Sequence, residues 1–195
     1  MSELLLKHFR SRINISDEEF SLLLDNVEHK QVKKKEKILE TGDVCNYTTF
    51  VNQGLLYSYS TDINGIEHVV NFAMEDYWIG DLYSLINHTP STLAIVALED
   101  SDVYMFRFDI LEKLPEKIPG LEKYYRILYQ NAYTATQQRL DCTLSVSAVE
   151  RYLRILTDNP QLLQRVPLHL IASYLGITPE SLSRIRRKLM TKPKV

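Results

Sequence analysis

The spacing of apolar residues changes along this chain and divides it into segments of different predicted structure. At the N-terminus, the apolar positions within 4–9 favour a short helix. Ser16-Asp17-Glu18-Glu19 has the form of a capping box, in which a serine and a glutamate three residues later satisfy each other's backbone N–H groups. A second helix is therefore predicted from this box to about Val27.

From His29 onward, short stretches of β-branched and aromatic residues alternate with turn residues. The predicted strands are Val32, 38–39, 48–51, 55–59, 68–72, 94–98 and 103–108. Asn64-Gly65 is a strong hairpin signal, because both residues tolerate the left-handed backbone of a two-residue turn. Short strands separated by regular turns predict an antiparallel sandwich or roll rather than a parallel α/β sheet.

A long helix is predicted over about 121–142, after Pro119-Gly120. Spacings of four and three residues alternate along it, as in a coiled-coil seam: Leu121, Tyr125, Leu128, Ala132, Ala135, Arg139 and Cys142. The seam could pack on the β-rich segment or associate with a second copy, and we favour self-association. A hinge is predicted over 143–146, and the capping box at 147–150 predicts another helix to about Thr157.

The segment 168–189 has the spacing of two short helices joined by a tight turn. Ile171 lies on the inner face of the first helix, and Gly176 stands where the chain must turn sharply. Thr178 suits the N-cap of the second helix. The inner positions of that helix recur at three- and four-residue spacing: Leu182, Ile185 and Leu189.

The outer face of the second helix is polar and basic, and it carries Glu180, Ser181, Ser183, Arg184, Arg187 and Lys188. Arg, Glu and Ser on an exposed helix can hydrogen-bond to base edges in the DNA major groove. An ordinary helical hairpin in a core is the alternative, but it leaves the basic face unexplained. The segment therefore predicts a helix-turn-helix.

The net charge of −2 conceals an asymmetry along the 195 residues. Residues 151–195 contain nine Lys and Arg against two Asp and Glu, whereas residues 1–150 contain fourteen against twenty-three. A basic end on an acidic body suits contact with a polyanion through that end, the alternative being a merely solvated basic surface. Charge and helix-turn-helix pattern fall in the same segment, which favours the first interpretation.

Composition excludes several classes of protein. The chain is 45% hydrophobic and 25% charged, as in ordinary globular proteins. No apolar run approaches the ~20 residues of a membrane span, and the first twelve residues are too charged for a signal peptide. Two cysteines, Cys45 and Cys142, do not make a disulfide framework, so we expect a reducing cytoplasm.

The chain resembles the Crp/Fnr transcription factors, the family of cyclic-AMP receptor protein. The resemblance lies in the order of these segments, in the stretch IASYLGITPESLSRIRRKL and in Ile79-Gly80-Asp81-Leu82 before a short helix. It also includes the glycine pattern of the roll: Gly42, Gly54, Gly65 and Gly80. The resemblance implies an α+β fold with three parts. These are a cyclic-nucleotide-binding-like antiparallel β-roll sensor (1–118), a long dimerisation helix (119–143) and a helix-turn-helix DNA-binding domain (144–195). It also implies a homodimer on a palindromic operator in double-stranded DNA, with RNA polymerase as a candidate partner and no membrane.

In the family's pattern, Glu180 matches a glutamate that accepts from cytosine N4, and Arg184 matches an arginine that donates to guanine. Carboxylate and guanidinium chemistry suit these roles independently, although residues four apart can also form a plain surface ion pair. Thr178, Ser181 and Ser183 are further candidates for DNA contact. The expected phosphate contacts are Arg186, Arg187, Lys188 and Lys192. Pro179 replaces one base-reading arginine, and the wing that many members carry is expected to be missing.

The effector region departs from cyclic-nucleotide binders. Gly80, Asp81 and Leu82 keep a carboxylate for a ribose hydroxyl, but Ser91 followed by Thr92 stands at the position of the phosphate-binding arginine. No Lys or Arg occurs between Lys37 and Arg107. A phosphate without a cation is held less strongly, so we expect weak or no cyclic-AMP binding and leave another small-molecule effector open.

Other chemistries find little support. Two cysteines cannot ligate an iron–sulfur cluster within one chain, and His68 and His88 are more typical of surface histidines than of haem ligands. The five histidines do not have the spacing of a metal-binding cupin. No catalytic motif is present, so an enzyme is not expected. A ligand-sensing module that acts through protein partners without specific DNA binding is the remaining alternative.

Overall fold

The computed structural model describes residues 3–190. Two short helices open the chain, α1 (Glu3–Arg10) and α2 (Asp17–Leu24). The predicted capping box at the start of α2 is confirmed: Ser16 Oγ accepts from the Glu19 N–H at 3.1 Å, and the Glu19 carboxylate accepts from the Ser16 N–H at 2.9 Å.

Eight strands follow, interrupted by one short helix. They are β1 (Val27–Val32), β2 (Lys37–Leu39), β3 (Tyr47–Gln53), β4 (Leu56–Thr61), β5 (Glu67–Ala73), β6 (Trp78–Ile79), β7 (Leu93–Ala97) and β8 (Ser101–Arg107), with helix α3 (Leu82–Asn87) between β6 and β7. Seven of these strands overlap the predicted ones, but β1 begins at Val27, where the sequence predicts the end of the second helix, and that helix ends at Leu24 instead. The two-residue β6 is too short for any periodicity to mark it.

The strands form two four-stranded antiparallel sheets that face each other, with strand orders β1-β8-β3-β6 and β2-β7-β4-β5. Apolar side chains from both sheets fill the space between them, among them Val51, Leu56, Ile95 and Val103, which are at most 2% exposed. The predicted antiparallel roll is therefore confirmed. The β4–β5 hairpin turns through residues 62–66, where Gly65 adopts φ +79°.

The remaining helices are α4 (Phe108–Leu111), α5 (Gly120–Ser145), α6 (Ala148–Asp158), α7 (Pro160–Arg165), α8 (Leu168–Tyr174) and α9 (Pro179–Met190), with a 3₁₀ turn at Leu114–Glu116. α5 continues through most of the predicted hinge and ends at Ser145. The second predicted capping box is confirmed, since Ser147 and Glu150 cap each other at the start of α6.

The first half of α5 packs on the roll of its own chain. Leu121 and Tyr124 are fully buried against α1 and β8, and Tyr125 and Leu128 pack beside them. This is the packing that the sequence left as the less favoured alternative for the seam. The seam positions that point to the roll are therefore not available there for a second copy.

A third apolar cluster joins the outer side of the β4–β5 hairpin to the C-terminal helices. Val69 and Phe72 of β5 meet Leu170 and Ile171 of α8. The helix-turn-helix thus docks on the roll instead of standing apart from it.

Candidate DNA-binding helix and effector region

The turn between α8 and α9 holds the second helix at a fixed angle to the first. Gly176 adopts φ +66°, a backbone conformation that side chains disfavour, although a Cβ there would meet no neighbouring atom. Leu182 of α9 is fully buried against Ile171 and Ala172 of α8. The Thr178 hydroxyl accepts from the Ser181 N–H at 3.2 Å and caps α9, as the sequence predicts.

The outward face of α9 displays the side chains that sequence analysis selects for DNA contact. Glu180, Ser183 and Arg184 are exposed, while Ser181 is half-buried. Hydrogen bonds from its own backbone N–H and from Thr178 lower the pKa of Glu180, and the charge of Arg184 adds to the effect. Arg184 itself donates to Ser181 Oγ at 3.3 Å. Glu180 therefore presents an ionised acceptor and Arg184 a donor on one face.

The candidate phosphate contacts are placed less uniformly. Arg187 and Lys188 are exposed near the end of α9. Arg186 is half-buried, and its Nε has no hydrogen-bond partner among residues 3–190. Lys192 lies outside the described residues.

Two other arginines of the basic segment 151–195 make polar contacts within the chain. Arg165, at the end of α7, lies 2.7 Å from Glu75 and 2.7 Å from Glu99, which belong to the roll. Arg151 donates to the carbonyl oxygens of Val146 at 2.7 Å and Leu175 at 2.9 Å. The charge count of the sequence therefore overstates the basic surface, and α9 carries most of what remains.

Polar contacts also tie α8 and α5 to strand β5. Ser173 Oγ accepts from the Val69 N–H at 2.9 Å and donates to the Glu67 carbonyl oxygen at 3.0 Å. The Arg139 guanidinium lies 4.2 Å from the centre of the Tyr174 ring and donates to the Val69 carbonyl oxygen. Burial lowers the pKa of Arg139, and this seam residue contacts strand β5 and helix α8 of its own chain.

In the predicted effector region, the side chains of Asp81 and Ser91 form a hydrogen bond with each other. Asp81 caps α3, because its Oδ1 accepts from the N–H groups of Tyr83 and Ser84. Its Oδ2 accepts from the Ser91 hydroxyl at 2.7 Å, and both side chains are buried. The carboxylate that a ribose hydroxyl would need is thus already occupied by partners from its own chain.

The other three candidate effector residues do not converge with that pair. Thr92 is exposed. Gly80 and Leu82 line a cavity between the roll and α5 in which neither Asp81 nor Ser91 takes part. Four of the five predicted residues are therefore divided between a closed polar cluster and a separate apolar cavity, and Thr92 belongs to neither.

Some site types have no counterpart in the described part of the chain. Residues 3–190 contain no group of three His, Cys, Asp or Glu side chains that could hold a metal ion. Over the same residues, no helix combines the length and apolar character of a membrane span. His68 and His88, the two histidines weighed as haem ligands, are both exposed.

Comparison with known proteins agrees with this geometry. Residues 29–117 match the cyclic nucleotide-binding domain family. The anaerobic regulatory protein of Pasteurella multocida is 25% identical over 179 residues, which are 85% of this chain and 65% of that protein. The regulatory protein HlyX of Actinobacillus pleuropneumoniae is 25% identical over 88% of this chain and 75% of its own length.

Solved structures show the same architecture at lower identity. A transcriptional regulator of the Crp/Fnr family from Eubacterium rectale superimposes with a TM-score of 0.68 at 18% identity, covering 90% of this chain and 84% of that one. FixK2 from Bradyrhizobium japonicum gives 0.67 at 20% identity and covers 85% of both chains. The chain is therefore similar in sequence to regulatory proteins over most of its length, and similar in fold to a regulator of the Crp/Fnr family.

Proposed function

We propose that this protein is a DNA-binding transcriptional regulator that reads base edges in the major groove with α9. The observation that carries the proposal is the pairing of an ionised Glu180 and an exposed Arg184 on one face of a capped helix. A carboxylate accepts from cytosine N4, and a guanidinium donates two parallel bonds to guanine. Ser181, Ser183 and Thr178 flank these two side chains, and Arg187 and Lys188 extend toward the DNA backbone.

The proposed regulator acts as a homodimer on a palindromic site. One face of α5 leaves large apolar side chains exposed: Tyr129, Tyr133, Leu140 and Leu144, which are 40–78% exposed. They recur at spacings of four and seven residues on a face beside the one that packs on the roll, as a two-helix seam requires. Pairing of two copies along this face, within the helix predicted for self-association, would cover it. The two α9 helices would then meet half-sites about one DNA turn apart.

Each of the three parts predicted from the sequence has one role in this proposal. Residues 1–118 would sense a small molecule, 119–143 would join two copies, and 144–195 would bind DNA. The contacts of Arg165 and Ser173 with the roll support a coupling between the first and last parts, since a shift of either surface changes the other. RNA polymerase is a candidate further partner of such a regulator, which would act in the cytoplasm.

The proposal is tested by selecting binding sites from random double-stranded DNA and measuring gel shifts with the enriched sequence at several salt concentrations. We expect a palindromic consensus and an affinity that falls steeply as salt increases, because phosphate contacts release counterions. No enrichment, together with retained binding to a protein partner, would instead favour the sensing module that acts without DNA.

A further inference from the structure

An apolar cavity of about 190 Å³ lies between the roll and helix α5. Trp78, Phe106 and Leu85 form its wall on the roll side, and Tyr125, Tyr129 and Ala132 form its wall on α5. Cavities of roughly 150 Å³ lined by apolar side chains are large enough for benzene. The volume therefore suits a single aromatic ring with a small substituent.

The lining of this cavity is uncharged. None of the described residues that line it is Asp, Glu, Lys, Arg or His, and its only polar side chains besides the aromatic ones are Thr48 and Asn71. A buried ion without a counter-charge is costly, so an anionic ligand such as a nucleotide phosphate is disfavoured here. The cavity therefore selects for a neutral molecule.

One buried polar atom of the lining has no hydrogen-bond partner among the described residues. The hydroxyl oxygen of Tyr125 is buried and makes no hydrogen bond to residues 3–190. Burial also raises the pKa of this tyrosine well above its usual range, so the hydroxyl keeps its proton. A buried hydroxyl that lacks a hydrogen bond destabilises the protein, and a ligand oxygen beside it would remove that cost.

We propose that this cavity binds an uncharged, single-ring aromatic molecule whose one oxygen atom hydrogen-bonds to the hydroxyl of Tyr125. The claim that this molecule is the effector of a regulator rests on the proposed function. Binding itself does not, because it can be measured on the protein without DNA. The cavity adjoins both the roll and the helix of the proposed dimer, so its occupant contacts two of the three proposed parts.

Trp78 can report binding by its fluorescence, because it is the single tryptophan of the sequence and lines the cavity. We would titrate the full chain with benzyl alcohol, toluene, benzoate and cyclic AMP while following Trp78 fluorescence, and confirm affinities by calorimetry. We expect saturable binding of benzyl alcohol with a Kd on the order of 1 mM or tighter, given its few non-hydrogen atoms. Toluene should bind more weakly, and benzoate and cyclic AMP should leave the fluorescence unchanged.

Matched variants separate this site from unspecific partitioning. Tyr125→Phe should weaken benzyl alcohol binding roughly threefold to tenfold, the worth of one hydrogen bond, and leave toluene binding unchanged. Ala132→Leu fills the mouth of the cavity and should weaken both ligands at least about tenfold. Ala135→Leu, at an exposed alanine of α5 that does not line the cavity, is the control and should change neither.

The outcomes are distinguishable. The cavity proposal is overturned if benzyl alcohol does not bind, or if the Tyr125→Phe and Ala132→Leu variants bind it as tightly as the wild type does. Either result holds whether water or the partner subunit fills the space. Neither result bears on the proposal of DNA binding. Tight binding of cyclic AMP or benzoate overturns the assigned ligand class. Operator gel shifts with and without benzyl alcohol then test regulation: a changed affinity supports the ligand as effector, and an unchanged one overturns that role alone.

Discussion

The Ser91 hydroxyl donates a 2.7 Å hydrogen bond to the carboxylate of Asp81, and both side chains are buried. Each residue stands at a position where the resemblance to cyclic-nucleotide binders places a ligand contact. In this chain the two satisfy each other and hold α3 against the segment before β7. The pair therefore has a structural role that its sequence positions do not reveal.

Loss of the Asp81 carboxylate should destabilise the roll. Asp81→Ala removes the N-cap of α3 and leaves the Ser91 hydroxyl without this acceptor, at a cost of about 1–3 kcal/mol in the free energy of unfolding. Asp81→Asn is the control, because an amide oxygen can still cap the helix, and it should cost less. Urea unfolding monitored by Trp78 fluorescence measures both. Equal stability of the alanine variant and the wild type would contradict this role.

Removal of the Arg184 guanidinium should weaken specific DNA binding. We expect Arg184→Ala to cost about 1–3 kcal/mol on the selected operator and to relax the preference at one base pair in each half-site. Lys188→Ala should weaken all sequences alike and flatten the dependence of affinity on salt. Lys117→Ala, at an exposed lysine of the roll, is the control for net charge. Unchanged operator affinity in Arg184→Ala would refute the assignment to base reading.

The exposed apolar face of α5 should control the oligomeric state. Leu140→Glu combined with Leu144→Glu places charges on this exposed face, so we expect monomers at micromolar concentration in sedimentation experiments. Asn131→Glu with Gln138→Glu adds the same charge on the opposite side of the helix and should leave the dimer intact. A wild-type protein that is already monomeric would remove the basis for two half-sites.

The Arg165 cluster should hold the C-terminal helices on the roll. The side chain of Arg165 is 24% exposed, and those of Glu75 and Glu99 are 36% and 41% exposed, so solvent screens the two ion pairs. Burial opposes ionisation of Glu75, yet hydrogen bonds from Arg165 and from backbone N–H groups still lower its pKa. We expect Arg165→Met to cost about 1 kcal/mol and to raise hydrogen exchange in α7 and α8 roughly fivefold.

The matched control for that substitution is Arg107→Met, which removes an exposed ion pair with Asp109 far from the docked helices. Its exchange pattern in α7 and α8 should equal that of the wild type. The same pattern in both variants would show that Arg165 does not hold the helices.

Acidification should destabilise the N-terminal packing through His8. The Trp78 indole N–H donates to His8 Nε2 at 3.1 Å, so Nε2 is the acceptor and Nδ1 carries the proton toward Asp76, 2.6 Å away. Burial lowers the pKa of His8 from its ordinary 6.5, although the hydrogen bond to Asp76 opposes the shift. The unfolded chain therefore binds a proton at a higher pH than the folded chain does, and stability decreases as pH falls below about 6.5.

The melting temperature should accordingly fall between pH 7 and pH 5, before the carboxylates titrate. His68→Asn, at an exposed histidine paired with Asp62, should keep this dependence. His8→Gln, which lacks a titrating ring, should lose it. A flat wild-type profile over this range would rule out the protonation of His8 as a destabilising event.

Local rules account for much of what the sequence predicts correctly. The capping boxes at Ser16 and Ser147, the left-handed Gly176 and the Thr178 cap depend on neighbours within four residues, so the sequence alone reveals them. The antiparallel roll follows from the short strands between turn residues. The placement of α9 side chains follows from helical periodicity around Leu182.

Long-range contacts explain what the sequence could not give. Arg165 meets Glu75 across 90 positions of the chain, and no spacing marks such a pair. Tyr125 belongs to a regular seam, but periodicity does not say whether that seam faces the roll or a second copy. The Asp81–Ser91 contact depends on the path between them, which only the folded roll defines.

The contact of Ser173 with β5 has a consequence for solubility. β5 is the outermost strand of its sheet, and such a strand presents unpaired N–H and C=O groups that can recruit a strand from another molecule. Ser173 occupies the Val69 N–H and the Glu67 carbonyl, while α8 covers the apolar side chains beside them. The helices proposed to bind DNA thus also shield this edge of the sheet against aggregation, and a shortened chain that ends before α6 would leave that edge bare.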